Sequence, residues 1–335
     1  MKSSRTSLVI ISVLVIMLIV WLIAINKQNA SRNQPIKIGV ITPLTGPFAD
    51  YGEQIKKGVL TIGTSSDFSF DFGDEQCDPK QTVTAFHKLT DVDGVHFIIG
   101  PGCGSPQEAI VPLLANKKVV VVVPSAASSD LFAKSGGYFF NVQYSLENES
   151  KFNAEKMYDM GYKKVALLTY DNAFSTAHAN SFKKNFKGKI AYETVLVDDS
   201  VSLLPELTKI KAAGVDAIYA PDIAFFFAGA SAKLKQLSMT MPVFTTYVAE
   251  LPAVIPLVEG VYYSFPADIT AEGGAVYGLS KQASELLVPL VLECNGNPEC
   301  VRAKLISSGK FDQDGVYKRD LILKQIKNST STVIN

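Results

Sequence analysis

Two short loops carry the residues best placed for chemistry. The stretch Gly100-Pro-Gly-Cys-Gly-Ser105-Pro106 follows the apolar run Val95–Ile99 and opens a helical pattern. Pro106 suits a first helical turn, so Ser105 is the expected N-cap. The free backbone N–H groups and positive dipole end there suit a carboxylate or similar anion. The stretch Pro124-Ser-Ala-Ala-Ser-Ser129-Asp130 follows the run Val119–Val123. Its small side chains leave backbone N–H and C=O groups open to a ligand. The two preceding runs are expected to be neighbouring strands, so both loops should face one crevice.

Catalytic constellations are thin. The histidines are His87, His96 and His178, expected in mid-helix, inside a strand and at a helix start. Their spacing supplies no H-E-x-x-H or comparable ligand set, and each reads as satisfied or exposed. There is no G-x-S-x-G elbow and no P-loop, and the glycines around Ser105 do not fit G-x-G-x-x-G. No catalytic residue, metal or cofactor is expected. The four cysteines, Cys77, Cys103, Cys294 and Cys300, lack a C-x-x-C knuckle. They fit two disulfides with three possible pairings, which points to an oxidising compartment.

The elements that position these loops follow from the rest of the chain. Its 335 residues suit two domains, and 47% hydrophobic with 19% charged residues can build a large core. Lys+Arg and Asp+Glu both number 32, and no basic run exceeds two residues, which argues against a nucleic-acid partner. Leu8 to Ile25 is apolar except for Ser12. As a helix it would span roughly 27 Å, close to a bilayer's hydrocarbon core. We read it as an uncleaved membrane anchor, with a cleaved signal peptide as the alternative. Either way the body is exported, and residues 1–7 form a short cytoplasmic n-region.

A polar linker, residues 26–35, leads to the strand Ile36–Ile41. Beyond it, strands are expected at Phe68–Phe72, Val95–Ile99, Val119–Val123, Val165–Thr169, Ile190–Leu196, Ala217–Ala220 and Val243–Thr246. Helical patterns separate them, including Pro106–Ala115, Lys151–Met160, Thr176–Phe186, Leu204–Ala213 and Phe225–Leu237. Asp78 is the expected N-cap of a helix with Pro79 at its first position and Gln81 in a box-like pattern. Repeated βα units with β-branched runs imply parallel sheets covered on both faces, too many strands for one lobe.

Together these motifs resemble the leucine/isoleucine/valine-binding family of type I periplasmic binding proteins, which feed ABC importers. Ile36 to Gly52, Asp74 to Gln81, Gly100 to Ser105 and Pro124 to Asp130 are similar to the family's first four strand ends. Phe311 to Gly315 and Leu321 to Ile326 are similar to its closing turn and strand. The match runs from about Ile36 to Lys327. It implies an α/β fold of two Rossmann-like lobes with parallel sheets, added here to the N-terminal transmembrane helix. Lobe 1 would comprise residues 36–143 and 268–312, lobe 2 residues 144–267 and 313–327, and residues 328–335 a tail. Crossovers are expected near residues 143, 267 and 312. The resemblance places Cys103 as the partner of Cys77, on the expectation that their strands lie side by side, and leaves Cys294 with Cys300.

The resemblance further implies a non-enzymatic protein that closes on an amino acid or similar small polar solute and hands it to a membrane permease. A ligand-sensing ectodomain is the alternative. A monomer is expected. Carried over by position, Tyr51 lines the cleft and Ser105 binds the ligand carboxylate. The fourth-loop contacts fall on Ser125 and Ala127, or Ser128 if the loop shifts by one. Where the family commonly has Asp-x-x-Tyr-Gly, this chain reads Asp171-Asn-Ala-Phe174-Ser175. The position that often carries an acid for the ligand ammonium is Tyr247, and Asp222 could supply a carboxylate instead.

Overall fold

The first strand, β1 (Ile36–Thr42), pairs in parallel with β2 (Phe68–Asp74) and β3 (Phe97–Ile99) in the computed structural model of the chain. The structure describes Met17 and residues 35–63, 65–197, 203–222, 224–269 and 273–334. The expected anchor over residues 8–25, Met17 apart, and the linker up to residue 34 lie outside the described residues. Among the described residues no helix is long and apolar enough to cross a membrane.

The first sheet runs β2-β1-β3-β4-β5, with β4 Val120–Val123 and β5 Phe139–Asn141. All its pairings are parallel. Every residue of β3 and β4 is buried, as expected of β-branched runs covered on both faces. Helices α1 (Ala49–Leu60), α2 (Pro79–His87), α3 (Gly104–Lys117) and α4 (Leu131–Lys134) follow successive strands. Asp78 caps α2 as expected, its carboxylate accepting the Lys80 and Gln81 amides at 2.9 Å; such a cap stabilises by about 1 kcal/mol.

The second sheet runs β12-β11-β10-β9-β8-β6-β7. Its strands are β6 Lys164–Tyr170, β7 Lys189–Leu196, β8 Ala217–Tyr219, β9 Val243–Thr245, β10 Tyr262–Pro266, β11 Leu321–Lys327 and β12 Thr330–Ile334. Around it lie α5 (Leu146–Asp159), α6 (Ala173–Asn185), α7 (Leu203–Ala213), α8 (Ala224–Phe227) and α9 (Ala230–Gln236). The last two occupy the span expected as one helix, because Gly229 takes φ +75° and breaks it. The sheet is not wholly parallel: β11 runs antiparallel to β10 and to β12. The stretch expected as a tail supplies β12.

Two later helices, α10 (Gly274–Glu293) and α11 (Pro298–Ser307), return to the first sheet, where α10 packs on α1. That packing is close: a Cβ on Gly58 would stand 2.4 Å from the Tyr277 carbonyl oxygen. The chain thus passes between the sheets after β5, after β10 and again before β11. At the last passage the Tyr317 amide donates to the Asn141 carbonyl at 2.8 Å, tying the first and third crossings together.

Both disulfides are present, Cys77–Cys103 with Cα atoms 5.4 Å apart and Cys294–Cys300 at 5.7 Å. The expected reason for the first pairing does not hold, since β1 lies between β2 and β3. The bridge instead joins loops that reach over the end of β1. Closing the first loop stabilises by roughly 3–4 kcal/mol in the chain-entropy view, the second by about 2.

Candidate functional site

A cavity of about 240 Å³ opens where the carboxyl ends of the two sheets face each other, the general ligand position of open parallel sheets. One wall comes from loops after β1 and β3 and from α1: Phe48, Tyr51, Gly102, Gly104, Ser105 and Pro106. The loops after β6, β8 and β9 form the other, through Asn172, Phe174, Asp222, Tyr247, Val248 and Leu251. Five of the expected contacts, Tyr51, Ser105, Phe174, Asp222 and Tyr247, are therefore brought together.

The expected fourth-loop contacts are not in this wall; Ala126 lines the cavity in their place. Ser125 is buried, and its hydroxyl accepts from Gln107 Nε2 at 2.8 Å. Ala127 is buried and its carbonyl accepts the Leu146 amide. Ser128 faces a separate cavity beside α5 and α6, with Glu147 and Lys151. A loop of small residues tells little about which one points inward, and here it is Ala126.

Ser105 is also not the cap of its helix. Cys103 holds that position with extended backbone (φ −109°, ψ 150°) and no side-chain cap bond. The helix starts two residues earlier than expected, at Gly104, directly after the disulfide-bonded Cys103. The effect is to leave the Gly104 and Ser105 end of α3 uncapped at the cavity, where its dipole favours an anion. Beneath this loop Glu75 is fully buried, and its Oε1 accepts the Gly102 amide at 2.8 Å. Burial pushes its pKa up to about 8, partly offset by the Gly102 and Cys103 amides. Glu75, Cys77 and Cys103 lie close enough to suggest a metal cluster, but both sulfurs are spent in the disulfide.

Tyr51 donates to the Gly102 carbonyl at 3.1 Å and also bonds Tyr247 across the cleft. Enclosure of its phenol pushes the pKa up to about 12. Opposite the helix end, Asp222 is 8% exposed. Its Oδ2 accepts from Asn172 Nδ2 at 2.9 Å and Ser175 Oγ at 2.7 Å, and its Oδ1 from the Ala224 amide at 3.0 Å. Asn172 is itself the N-cap of α6, accepting the Ser175 amide at 2.8 Å. Among the described residues no lysine or arginine pairs with Asp222, so its charge is oriented but not neutralised.

One arrangement imitates a hydrolase. Ser150 Oγ bonds His178 Nδ1, and Glu149 lies on the other side of the ring. All three are fully buried, so no substrate carbonyl reaches the hydroxyl. His178 is mid-α6 rather than at a helix start, while His87 pairs with exposed Asp91 at 2.9 Å and His96 is exposed just before β3. Sequence reasoning passed over Glu149, because a lone acid in a polar helix pattern carries no sign of burial.

The model of the periplasmic binding protein family matches residues 35–275. A Leu/Ile/Val-binding protein homolog from Brucella melitensis is 30% identical over 55% of this chain and 53% of its own length. The leucine-, isoleucine-, valine-, threonine- and alanine-binding protein of Pseudomonas aeruginosa is 27% identical over 55% and 52%. The chain spans about half the length of the curated relatives it matches. In fold it is similar to a leucine-binding protein from Thermotoga maritima, with a TM-score of 0.80 and 18% identity over 90% of this chain and 98% of that one. A Rhodopseudomonas palustris ABC-transporter solute-binding protein in complex with benzoate gives a TM-score of 0.77 at 18% identity, over 90% and 96%.

Proposed function

We infer the function from one premise: the chain belongs to the periplasmic binding protein family. On that premise it is an extracytoplasmic solute-binding protein, not an enzyme, that captures an amino acid or similar small polar solute between two lobes and passes it to an ABC permease. The observation that carries this reading is the polarity of the cleft. One wall offers an uncapped helix end for a carboxylate, the other an unneutralised Asp222 for an ammonium. Ser105 and Tyr51 serve the first wall, Asp222, Phe174 and Tyr247 the second. The lobes would divide at residues 143, 267 and 312, and the protein would act as a monomer.

The test is a thermal-shift screen of the exported body against amino acids and amides. A ligand at a hundred times its Kd should add about 2.7 kcal/mol of stability. No shift with any amino acid would defeat the amino-acid reading. A second reading, an aromatic carboxylate, is favoured by the Phe48, Tyr51, Phe174 and Tyr247 lining, so benzoates belong in the same screen.

The body would be held outside the membrane by residues 8–25 as an uncleaved single-pass anchor, and the two disulfides suit that compartment. N-terminal sequencing of the membrane fraction is expected to return the intact start of the chain. A mature N-terminus near Ser31 would make the segment a cleaved signal instead.

A further inference from the structure

Behind the Tyr247 side of the cleft lies a polar cluster that ligand binding does not explain. Glu149 Oε1 accepts from Tyr144 Oη at 2.9 Å, from Ser264 Oγ, and from the Tyr247 amide at 3.4 Å. One carboxyl oxygen thus ties the first crossing, β10 and the cavity-lining turn together. Its other oxygen, Oε2, is buried without a hydrogen-bond partner, and so is His178 Nε2. These two orphans face each other at 3.6 Å, both side chains wholly buried. His178 Nδ1 is already engaged by Ser150 Oγ and by Tyr219 Oη at 3.1 Å.

We propose that Glu149 is a positioning residue for the Tyr247 wall, and that it acts as a neutral acid whose proton is shared with His178, so that ligand capture weakens when that proton is lost. The capture part rests on the solute-binding reading above. With a proton on Oε2, a small side-chain shift lets it donate to Nε2, and both orphans are satisfied. Without it, the ring must move its hydrogen to Nε2 to answer Oε2, and the carboxylate keeps a wholly buried charge with no cation to neutralise it, a costly state that loosens the cluster.

Among the described residues no lysine or arginine pairs with the Glu149 carboxyl. Tyr144, Tyr219 and Tyr247 face the carboxyl from the first crossing, β8 and the turn after β9, and Tyr51 reaches it only through Tyr247. The nearby β11 lysine, Lys324, is taken by Glu250 at 2.8 Å, and Arg319 by Asp268 at 3.2 Å. Burial accordingly pushes Glu149 up to about 8 and His178 down to about 3. A raised carboxyl contributes stability in full below its unfolded value, and loses it as pH rises through about 8.

The experiment uses the full chain, with L-leucine as the probe in calorimetry from pH 6 to 9.5 and infrared spectra at pH 7. Wild-type affinity should fall above the midpoint, by up to about tenfold per pH unit. Glu149→Leu should bind weakly throughout. Glu149→Gln keeps the acceptor and places an N–H₂ donor opposite His178 Nε2, so it should rescue binding and flatten the pH profile. The protonated-carboxyl infrared band should shrink in Glu149→Gln, with Glu75→Gln assigning the remainder. An unchanged band in Glu149→Gln, or a pH profile that still tracks wild type, overturns the proposal. If wild type binds no L-leucine at any pH, leucine is not the captured solute and the calorimetry is repeated with the amino acid that shifts the thermal screen; should none do so the functional reading fails, and the band with the pH dependence of the thermal unfolding midpoint still decides the shared proton.

Discussion

Replacing Asp222 by Asn is expected to weaken capture of an amino acid by about 2 kcal/mol or more, the scale of truncating one member of a buried charge pair. The ammonium enters a cleft walled largely by aromatic and aliphatic side chains, where an unpaired charge is costly. Asp222 already spends lone pairs on Asn172, Ser175 and Ala224, so its carboxylate is held in place before ligand arrives. Preorganisation of this kind lowers the cost of binding. An aromatic carboxylate would respond in the opposite sense, because the substitution removes a like charge from the cleft. Calorimetry on both proteins, with unfolding curves to separate any loss of stability, distinguishes the outcomes. Unchanged amino-acid affinity rules out Asp222 as the ammonium partner.

Gly100→Ala is expected to cost roughly 3 kcal/mol of stability or more, and to abolish binding in whatever fraction remains folded. Gly100 takes φ +101°, and a Cβ there would stand 2.0 Å from the Ile41 carbonyl oxygen. Backbone strain and a collision with an immovable β1 atom therefore act together. The loop they displace carries Gly102 and the uncapped end of α3. Gly46 is the control: its φ is +83°, but a Cβ there meets nothing within 4 Å, so Gly46→Ala should cost about 1 kcal/mol. Urea unfolding of the two variants compares them directly. Equal losses would show that the contact with Ile41 is relieved cheaply.

The alternation of β-branched runs with helical patterns made most of both sheets legible, because central parallel strands such as Val120–Val123 are buried on both faces and read as continuous apolar runs. Strand β12 escaped because Thr330–Thr332 and Val333 stay exposed on an edge, leaving no buried face to give a period. The split between α8 and α9 turned on Gly229, whose left-handed backbone is invisible in a stretch of otherwise helical residues. At the site, residues fixed by a loop's anchor points were readable: Tyr51, Phe174, Asp222 and Tyr247 all reach the cavity. Those dependent on loop register were not, as Ser125, Ala127 and Ser128 illustrate. Glu149 and His178 lie 29 positions apart and meet because α5 packs on α6, and a contact of that kind has no local signature.

The return of α10 onto α1, and of β11 onto β10, means that each half of the molecule is finished by a segment made long after it was begun. As the chain is synthesised or threaded through a translocation channel, the first sheet emerges with the groove that α10 will fill still open. The second sheet then emerges whole up to β10, its β11 edge still bare. The first half waits for α10 and the second for β11, so both are completed late. Such non-local closure favours slow folding with exposed apolar surface on the way. The apolar surface of both halves therefore stays open until roughly the final fifth of the chain has been delivered.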